Sequence, residues 1–268
     1  MNTHAQRWLT AAAVVPALFA VIAWGGETLF FIVIVTAILL GVNEYNAMVL
    51  PMSPGSEKIQ TLLISLLIPV IFFLGSVELL LCLLAFSIPA VFILHLLRIR
   101  QEHYDVLPVM KIVFGTLYVS LLLSHLIWLR RGEDGALWIF FVIVLAFSGD
   151  VAAYYVGRTW GRRKLMPLVS AGKTVEGVAG LIAGSALGCL IFSWLFLPVL
   201  FPWHAVILGV FGSVLGQLGD LCESLLKRAA GVKDSGTLLP GHGGILDRLD
   251  CLLFIAPTVY YYRYYFLP

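Results

Sequence analysis

The sequence predicts an all-α, polytopic membrane helical bundle of about nine transmembrane helices. Of its 268 residues, 60% are hydrophobic and only 12% are charged, whereas soluble globular domains are about 45–50% apolar and about 25% charged. The period-two alternation of a membrane barrel is absent, and lipid admits only helices or closed barrels. This composition excludes a disordered chain, a soluble enzyme and a nucleic-acid-binding domain, so any chemistry must take place at the membrane.

Nine apolar runs, each near the roughly 20 residues that one helical span requires, are separated by Gly, Pro and charged residues. We place the spans at 8–24, 28–49, 59–75, 77–97, 109–129, 136–156, 175–198, 204–228 and 245–266. The third and fourth are divided only by Gly75-Ser76, which requires a very tight turn. The first run is long for a signal peptide and lacks a convincing cleavage site, so we expect a retained span.

The distribution of basic residues predicts the orientation, because cytoplasmic loops carry an excess of Lys and Arg. With the N-terminus in the cytoplasm, 14 of the 17 Lys and Arg residues lie on the cytoplasmic side, and Arg130, Arg131 and Arg263 lie outside. This bias agrees with an odd number of spans and an external C-terminus. We divide the chain into N-terminal transmembrane helices (1–75), middle transmembrane helices (76–135) and a C-terminal catalytic transmembrane region (136–268).

Glycines recur in the seventh and eighth spans at spacings that favour close helix packing. They are Gly180, Gly184 and Gly188 in the seventh span, and Gly209, Gly212, Gly216 and Gly219 in the eighth. We interpret them as packing positions that could hold a polar site rigidly.

Acidic residues are costly inside a membrane helix, about 2.5–3.5 kcal/mol each near its centre. Here they fall at the predicted cytoplasmic ends of four spans, which favours one shared site. The acids are Asp150 in the sixth span, Glu176 in the seventh, Asp220 and Glu223 in the eighth, and Asp247 and Asp250 in the ninth. In the eighth span Asp220, Ser224 and Lys227 follow at i, i+4 and i+7, and therefore share one helix face.

Some of these acids also fit ordinary structural roles. Asp150 alone could be a packing hydrogen bonder or a proton-relay acid. Glu176 could be a partner of the helix dipole in a first turn. Asn43 and Glu44, in the second span, are interpreted as a structural polar pair.

The segment between Asp220 and Asp247 combines three features of an anion site. Lys227, Arg228 and Lys233 form a cationic cluster suited to phosphates. Gly241, Gly243 and Gly244 expose backbone amides immediately before a helix N-terminus, which attracts anions. The flanking aspartates offer oxygen ligands, and Mg²⁺ is usually held by one or two carboxylates plus substrate phosphates. Together these features predict a metal–polyphosphate site at the cytoplasmic face.

A second basic stretch, which includes Lys173, precedes the seventh span. Gly172-Lys173-Thr174 invites a P-loop interpretation, but that pattern needs Gly at position 167, where the residue is Pro167, and we expect no strand before it. We therefore reject a P-loop, while Lys173 could still bind phosphate at the start of the helix.

The segment from Ser224 to Asp250 resembles the signature of the phosphatidate cytidylyltransferases, or CDP-diacylglycerol synthases, at more than a dozen positions. The resemblance extends to Ser148-Gly149-Asp150 and to the stretch from Ser170 to Gly177, where Ala171-Gly172 stands in place of a frequent Pro-Gly. Residues 1–135 are similar only in hydrophobic profile and in Asn43-Glu44.

The resemblance implies an inner-membrane enzyme of about nine helices that works as a homodimer. It implies the reaction of CTP with phosphatidic acid to give CDP-diacylglycerol and pyrophosphate. It also implies Mg²⁺ dependence, with Asp220 and Asp247 as metal ligands, and allows a second cation nearby. The localisation that follows is a bacterial-type inner (cytoplasmic) membrane, with membrane lipids around the chain, the active site on the cytoplasmic side and no nucleic acid as a partner.

On this basis we assign roles to the candidate residues. Asp150, Glu223 and Asp250 are further candidates for metal binding or for bracing the ligands. His242 either donates to a phosphate or braces the glycine turn. The expected catalytic residues are Lys227, Arg228, Lys233, His242 and Arg248, and the expected phosphate-binding residues are Lys173, Ser224, Gly243 and Gly244.

Two alternatives stay open. A CTP-dependent lipid kinase, which passes the γ-phosphate to a lipid alcohol, could use a similar site. A transporter lined by buried acids is the alternative from another class, but it should place acids near mid-membrane. The CDP-alcohol phosphatidyltransferases are set aside, because their D-x-x-D-G-x-x-A-R pattern is absent from the sequence.

Overall fold

The computed structural model describes residues 3–98, 105–238 and 243–267, and helix accounts for 81% of the structure. Nine helices lie in these ranges. They are α1 (Thr3–Trp24), α2 (Gly26–Val49), α3 (Gly55–Leu74), α4 (Val77–Leu96), α5 (Leu107–Arg131), α6 (Gly135–Trp160), α7 (Val175–Phe196), α8 (Pro202–Ala229) and α9 (Leu246–Phe266).

Each helix covers one of the predicted spans, which confirms the helical class. The largest differences are at helix ends: α1 begins at residue 3 instead of 8, α3 at 55 instead of 59, and α6 ends at 160 instead of 156. Seven helices, α2 to α8, are long and apolar enough to cross a membrane. The protein is therefore a multi-pass membrane protein, whereas nine crossings and the sides of the two termini stay predictions.

The tight turn between α3 and α4 forms as the sequence predicts. Gly75 ends α3 in the left-handed conformation, with φ +78°, and its N–H donates to the carbonyl oxygens of Ile71 and Phe72. Ser76 then begins α4, where its Oγ accepts from the N–H of Leu79 at 3.2 Å. A left-handed glycine and a serine N-cap are efficient ways to end and begin helices.

A short antiparallel hairpin precedes α7, formed by β1 (Lys164–Met166) and β2 (Ser170–Thr174). The expectation that no strand precedes Gly172-Lys173-Thr174 is therefore wrong; strands of three and five residues are too short to show a hydrophobic period. Lys173 lies within β2 itself, so the arrangement still differs from a P-loop, in which the lysine follows a loop after the strand. At the end of β2, the Thr174 Oγ1 accepts from the N–H of Gly177 and caps α7.

Two contacts hold this hairpin against the helices. The Glu176 carboxylate, in the first turn of α7, accepts from the N–H groups of Arg162 and Arg163 at 3.0 and 3.2 Å. Arg228, near the end of α8, donates from Nε to the carbonyl oxygen of Val169 at 3.3 Å. Glu176 lies in the first turn, as a helix-dipole partner would, and its carboxylate also orders the loop before the hairpin.

The described residues form two compact units. The first comprises Met1–Trp128 and Asp234–Leu246, and the second comprises Leu129–Lys233 and Asp247–Pro268. In the first unit α2, α3 and α5 pack together, with α4 against α3 and α5. Residues 116–121 of α5 form a π-helical segment, and Ser120 within it donates from Oγ to the carbonyl oxygen of Ser65 at 2.7 Å.

Glu44 of the first unit does not pair with Asn43, contrary to the sequence interpretation. Asn43 is exposed, because neighbouring residues on a helix point in different directions. Glu44 is buried, and its carboxylate accepts hydrogen bonds from the segment Asp234–Leu246.

In the second unit α6 packs along α7, and α7 packs on α8. The glycines allow these close approaches, as predicted. A Cβ atom on Gly209 would lie 2.6 Å from Cα of Ala186, and one on Gly219 would lie 2.5 Å from the carbonyl oxygen of Asp250 in α9. Backbone therefore meets backbone at both crossings, and α8 is held against α7 on one side and α9 on the other.

We expect Gly209→Ala to destabilise the second unit by about 1–3 kcal/mol, because the added methyl group meets helix backbone that cannot rotate away. Unfolding by SDS titration of the purified protein measures the change. Gly55→Ala is the matched control, since a Cβ there meets nothing within 4 Å. Equal stabilities of the two variants would contradict the packing argument.

Candidate active site

One face of α8 carries the polar residues that begin the site. Gln217, Asp220, Ser224 and Lys227 follow at intervals of three and four residues, so that they line one side of the helix. The Ser224 Oγ donates to Oδ1 of Asp220 at 3.3 Å. The structure thus places the predicted residues Asp220, Ser224 and Lys227 on a common face.

Lys227 neutralises two carboxylates. Its Nζ donates to Oδ1 of Asp247 at 2.7 Å and forms an ion pair with Glu223, whose side chain is completely buried. Asp247 lies in the first turn of α9. A buried carboxylate without a cation would strongly destabilise the folded protein. Lys227 is therefore required for stability, independently of any ligand that the site binds.

A further ion pair joins the hairpin to α8. Lys173 of β2 has its Nζ 2.5 Å from Oδ2 of Asp220, and both side chains are partly buried. The cap formed by Thr174 and the bonds of Glu176 fix the strand that carries Lys173. Each of the two aspartates predicted as metal ligands therefore has a lysine partner.

The cluster contains more carboxylates than lysines. Asp150 and Asp250 add to the negative charge, since each interacts electrostatically with Asp220. The full set comprises the carboxylates of Asp150, Asp220, Glu223, Asp247 and Asp250 and the ammonium groups of Lys173 and Lys227. Oxygen donors in excess of positive charge are what Mg²⁺ prefers.

The same oxygens do not form a metal cage by themselves. Within residues 3–98, 105–238 and 243–267, no three His, Cys, Asp or Glu side chains are grouped closely enough to hold a metal ion. Mg²⁺ is usually bound by one or two carboxylates together with ligand oxygens, and Asp150 and Asp220 offer carboxylates of this kind at a cavity.

A cavity of about 400 Å³ opens beside this cluster, entirely within the second unit. Asp150, Lys173 and Asp220 line it together with Tyr154 and Arg158, whose guanidinium donates to the Tyr154 hydroxyl at 2.9 Å. Pockets for small molecules have volumes of about 300–1,000 Å³. The cavity thus provides room for a small ligand beside the Lys173–Asp220 ion pair.

Gln217 is a polar residue of the site that the sequence analysis missed. It lines the large cavity and also a smaller one of about 10 Å³, and both cavities share Asp150 and Asp220. Its Nε2 is buried and has no hydrogen-bond partner among the described residues. The sequence feature that could have identified Gln217 is its position three residues before Asp220, which places both residues on the same helix face.

The structure describes all but one of the remaining candidates. Arg228 donates to the backbone carbonyl oxygens of Val169 and Val232, while Lys233 and Arg248 are exposed. Gly243, with φ +80°, and Gly244 belong to the first unit. His242 lies outside the described residues.

We expect Lys227→Met to destabilise the protein by about 3–5 kcal/mol, because it leaves the buried Glu223 carboxylate without its cation. The double variant Lys227→Met with Glu223→Gln should cost less than Lys227→Met alone, and a double-mutant cycle of SDS unfolding measures this coupling. Lys233→Met, at an exposed lysine, is the control. Strictly additive losses would contradict the assigned pairing.

Comparison with known proteins identifies the family. The model of the cytidylyltransferase family matches residues 5–266. The chain is 44% identical over 153 residues to phosphatidate cytidylyltransferase of Bacillus subtilis, and 41% identical over 162 residues to the uncharacterised protein YnbB of Escherichia coli. These alignments cover 56% and 59% of this chain, and only 56% and 54% of the relatives' lengths. Phosphatidate cytidylyltransferase of a Synechocystis species is 31% identical over 98% of this chain and 97% of its own. The chain therefore belongs to the cytidylyltransferase family.

Proposed function

We propose that the protein transfers the cytidylyl group from CTP to phosphatidic acid in phospholipid biosynthesis, giving CDP-diacylglycerol and pyrophosphate. Family membership and the names of the relatives support the reaction. The observation that carries it in this chain is the acid-rich cluster with its ion pairs Lys173–Asp220, Lys227–Asp247 and Lys227–Glu223, beside a cavity of about 400 Å³. Such a cluster suits a polyphosphate and a divalent cation.

We assign Mg²⁺ to Asp220 and Asp247, with Asp150, Glu223 and Asp250 as additional ligands or as ligands of a second cation. The excess of carboxylates over lysines in the cluster supports this assignment. When bound, Mg²⁺ supplies neutralisation of the CTP phosphates and of the departing pyrophosphate.

The phosphate of phosphatidic acid needs little activation to act as the nucleophile. A phosphomonoester loses its second proton near pH 6, so at pH 7 it is largely a dianion, and no protein base is required. One of its oxygens attacks the α-phosphorus of CTP, the bond from that phosphorus to the oxygen bridging the α- and β-phosphates breaks, and pyrophosphate leaves with the electron pair. The demand on the protein is to hold two anions together and to stabilise the leaving charge.

Lysine side chains meet this demand. Lys173 lies at the cavity and is placed to exchange part of its contact with Asp220 for a phosphate oxygen. Lys227 keeps Asp247 oriented while compensating Glu223. The other proposed phosphate contacts come from Ser224, Arg228, Lys233 and Arg248. Gly244 packs against the Glu44 carboxylate, and the N–H groups of Ile245 and Leu246 donate to Glu44 and not to a ligand.

The decisive assay supplies purified protein with phosphatidic acid, Mg²⁺ and CTP labelled at either the α- or the γ-phosphate. Label from the α-position should enter the lipid, with pyrophosphate released. Entry of γ-label into a lipid alcohol would instead establish the lipid kinase. If neither label enters lipid in a folded preparation, the transfer proposal fails, and flux assays would then test the transporter.

Asp220→Asn and Asp247→Asn should each lower cytidylyl transfer at least about 100-fold and shift the Mg²⁺ dependence to higher concentration. Initial rates across a Mg²⁺ titration measure both effects. Asp134→Asn, at an exposed aspartate before α6, is the matched control. Near-normal activity with an unchanged Mg²⁺ response in both variants would contradict the metal assignment.

We further propose a bacterial-type inner membrane location, with the N-terminus and the site on the cytoplasmic side and the C-terminus outside. The excess of Lys and Arg in one set of loops and the bacterial relatives support this orientation. In a variant whose native cysteines are replaced by serine, a membrane-impermeant maleimide should label Glu133→Cys in intact cells, and should label Lys233→Cys only after permeabilisation. The opposite labelling pattern would reverse the topology.

The homodimer also stays a proposal, supported by the family resemblance. Sedimentation in density-matched detergent measures the mass of the protein complex directly.

A further inference from the structure

The Glu44 side chain forms hydrogen bonds with both ends of the segment Asp234–Leu246, which leads into α9. Its side chain is only 7% exposed. The carboxylate accepts from the Ser235 hydroxyl at 3.0 Å, the Ile245 N–H at 3.0 Å and the Leu246 N–H at 2.9 Å. One carboxylate in α2 therefore fixes the start of the segment Asp234–Leu246 and also its end.

The glycines of this segment fit the same carboxylate. A Cβ atom on Gly236 would lie 2.5 Å from Oε1 of Glu44, and a Cβ on Gly244 would also collide with this carboxylate and with Ser235. Glycine at both positions lets the backbone close around Glu44. Two independent features, the hydrogen bonds and the missing side chains, thus indicate a built anchor.

We infer that Glu44 is a positioning residue for the reaction. It caps the amides at the N-terminus of α9, where unsatisfied N–H groups and the helix dipole favour a negative charge. Leu246 is the first residue of that helix and Asp247 is the second. By binding the Leu246 N–H, Glu44 therefore fixes the backbone that carries the Asp247 carboxylate. The inference rests on the proposed function in that Asp247 is taken to serve the transfer.

The arrangement requires a carboxylate and not merely a polar side chain. Among the described residues, the three groups that hydrogen-bond to Glu44 are donors, and a carboxylate is an acceptor at both oxygens. An amide of the same size would turn its NH₂ group towards at least one donor, so that a buried hydrogen bond is replaced by a repulsive contact.

Glu44→Gln tests this role, with Glu57→Gln as the matched control. Glu57 is another buried carboxylate of the first unit, but it pairs with His95. Two quantities are measured: hydrogen–deuterium exchange of peptides covering residues 235–250, and kcat and KM for CTP in the α-label assay. We expect faster exchange at residues 243–250 in Glu44→Gln alone, and a kcat reduced about 10- to 100-fold with KM changed less than about threefold.

The possible results distinguish a positioning role of Glu44 from a purely structural one. Unchanged exchange, or faster exchange with an unaltered kcat, would overturn the inference. Absence of cytidylyl transfer in the wild type would refute the proposed function, whereas the exchange data would still show whether Glu44 anchors the segment. If Glu44→Gln fails to fold, Ser235→Ala provides a second test, because it removes one donor and keeps the carboxylate. Faster exchange at residues 235–238 with a smaller fall in kcat would support the inference. No change in either quantity would overturn it.

Discussion

Compensation of buried negative charge is the interaction on which the second unit depends. Glu223 is fully buried on α8, and Lys227 joins it to Asp247 at the start of α9, while Lys173 brings the hairpin to Asp220. Removing one partner of such a pair leaves an uncompensated charge, which costs far more than the pair contributes. Since the partners come from α8, α9 and the hairpin, the same pairs hold together the elements that surround the cluster and leave it with an excess of negative charge.

Close helix packing brings these acidic and basic side chains near one another. Gly209 and Gly219 bring α8 into backbone contact with α7 and α9, so the acids of neighbouring helices lie within reach of the same lysines. The hairpin is fixed by Glu176 and Arg228 through backbone groups, which leaves Lys173 directed at the cavity. Rigid support of this kind suits the proposed transfer, in which the site orients two anions and supplies neither a nucleophile nor a base.

The sequence predicts the helices well, because lipid imposes long apolar runs and the runs are separated by Gly, Pro and charge. It also predicts that Asp220, Ser224 and Lys227 lie on one face, because they share a helical period. The expectation that Glu176 joins the same site is wrong, because its carboxylate binds the N–H groups of the loop before the hairpin. The sequence could not predict which lysine meets which carboxylate, since the Lys173–Asp220 pair depends on a hairpin too short to show a period. The hydrogen-bond partners of Glu44 could not be predicted for a related reason. They lie about 190 to 200 residues away in sequence, and a local sequence pattern carries no information about them. Gln217, in contrast, was visible from its helical spacing.

We propose that the carboxylates hold a divalent cation jointly with the phosphates of the nucleotide. The most direct measurement is a titration of the purified protein with Mn²⁺, used in place of Mg²⁺ and followed by electron paramagnetic resonance, with and without CTP and corrected for Mn²⁺ bound to free CTP. We expect weak binding to the protein alone and binding at least about tenfold tighter with CTP, because substrate oxygens complete the coordination. Equal affinity in the two titrations, or no binding in either, would contradict it.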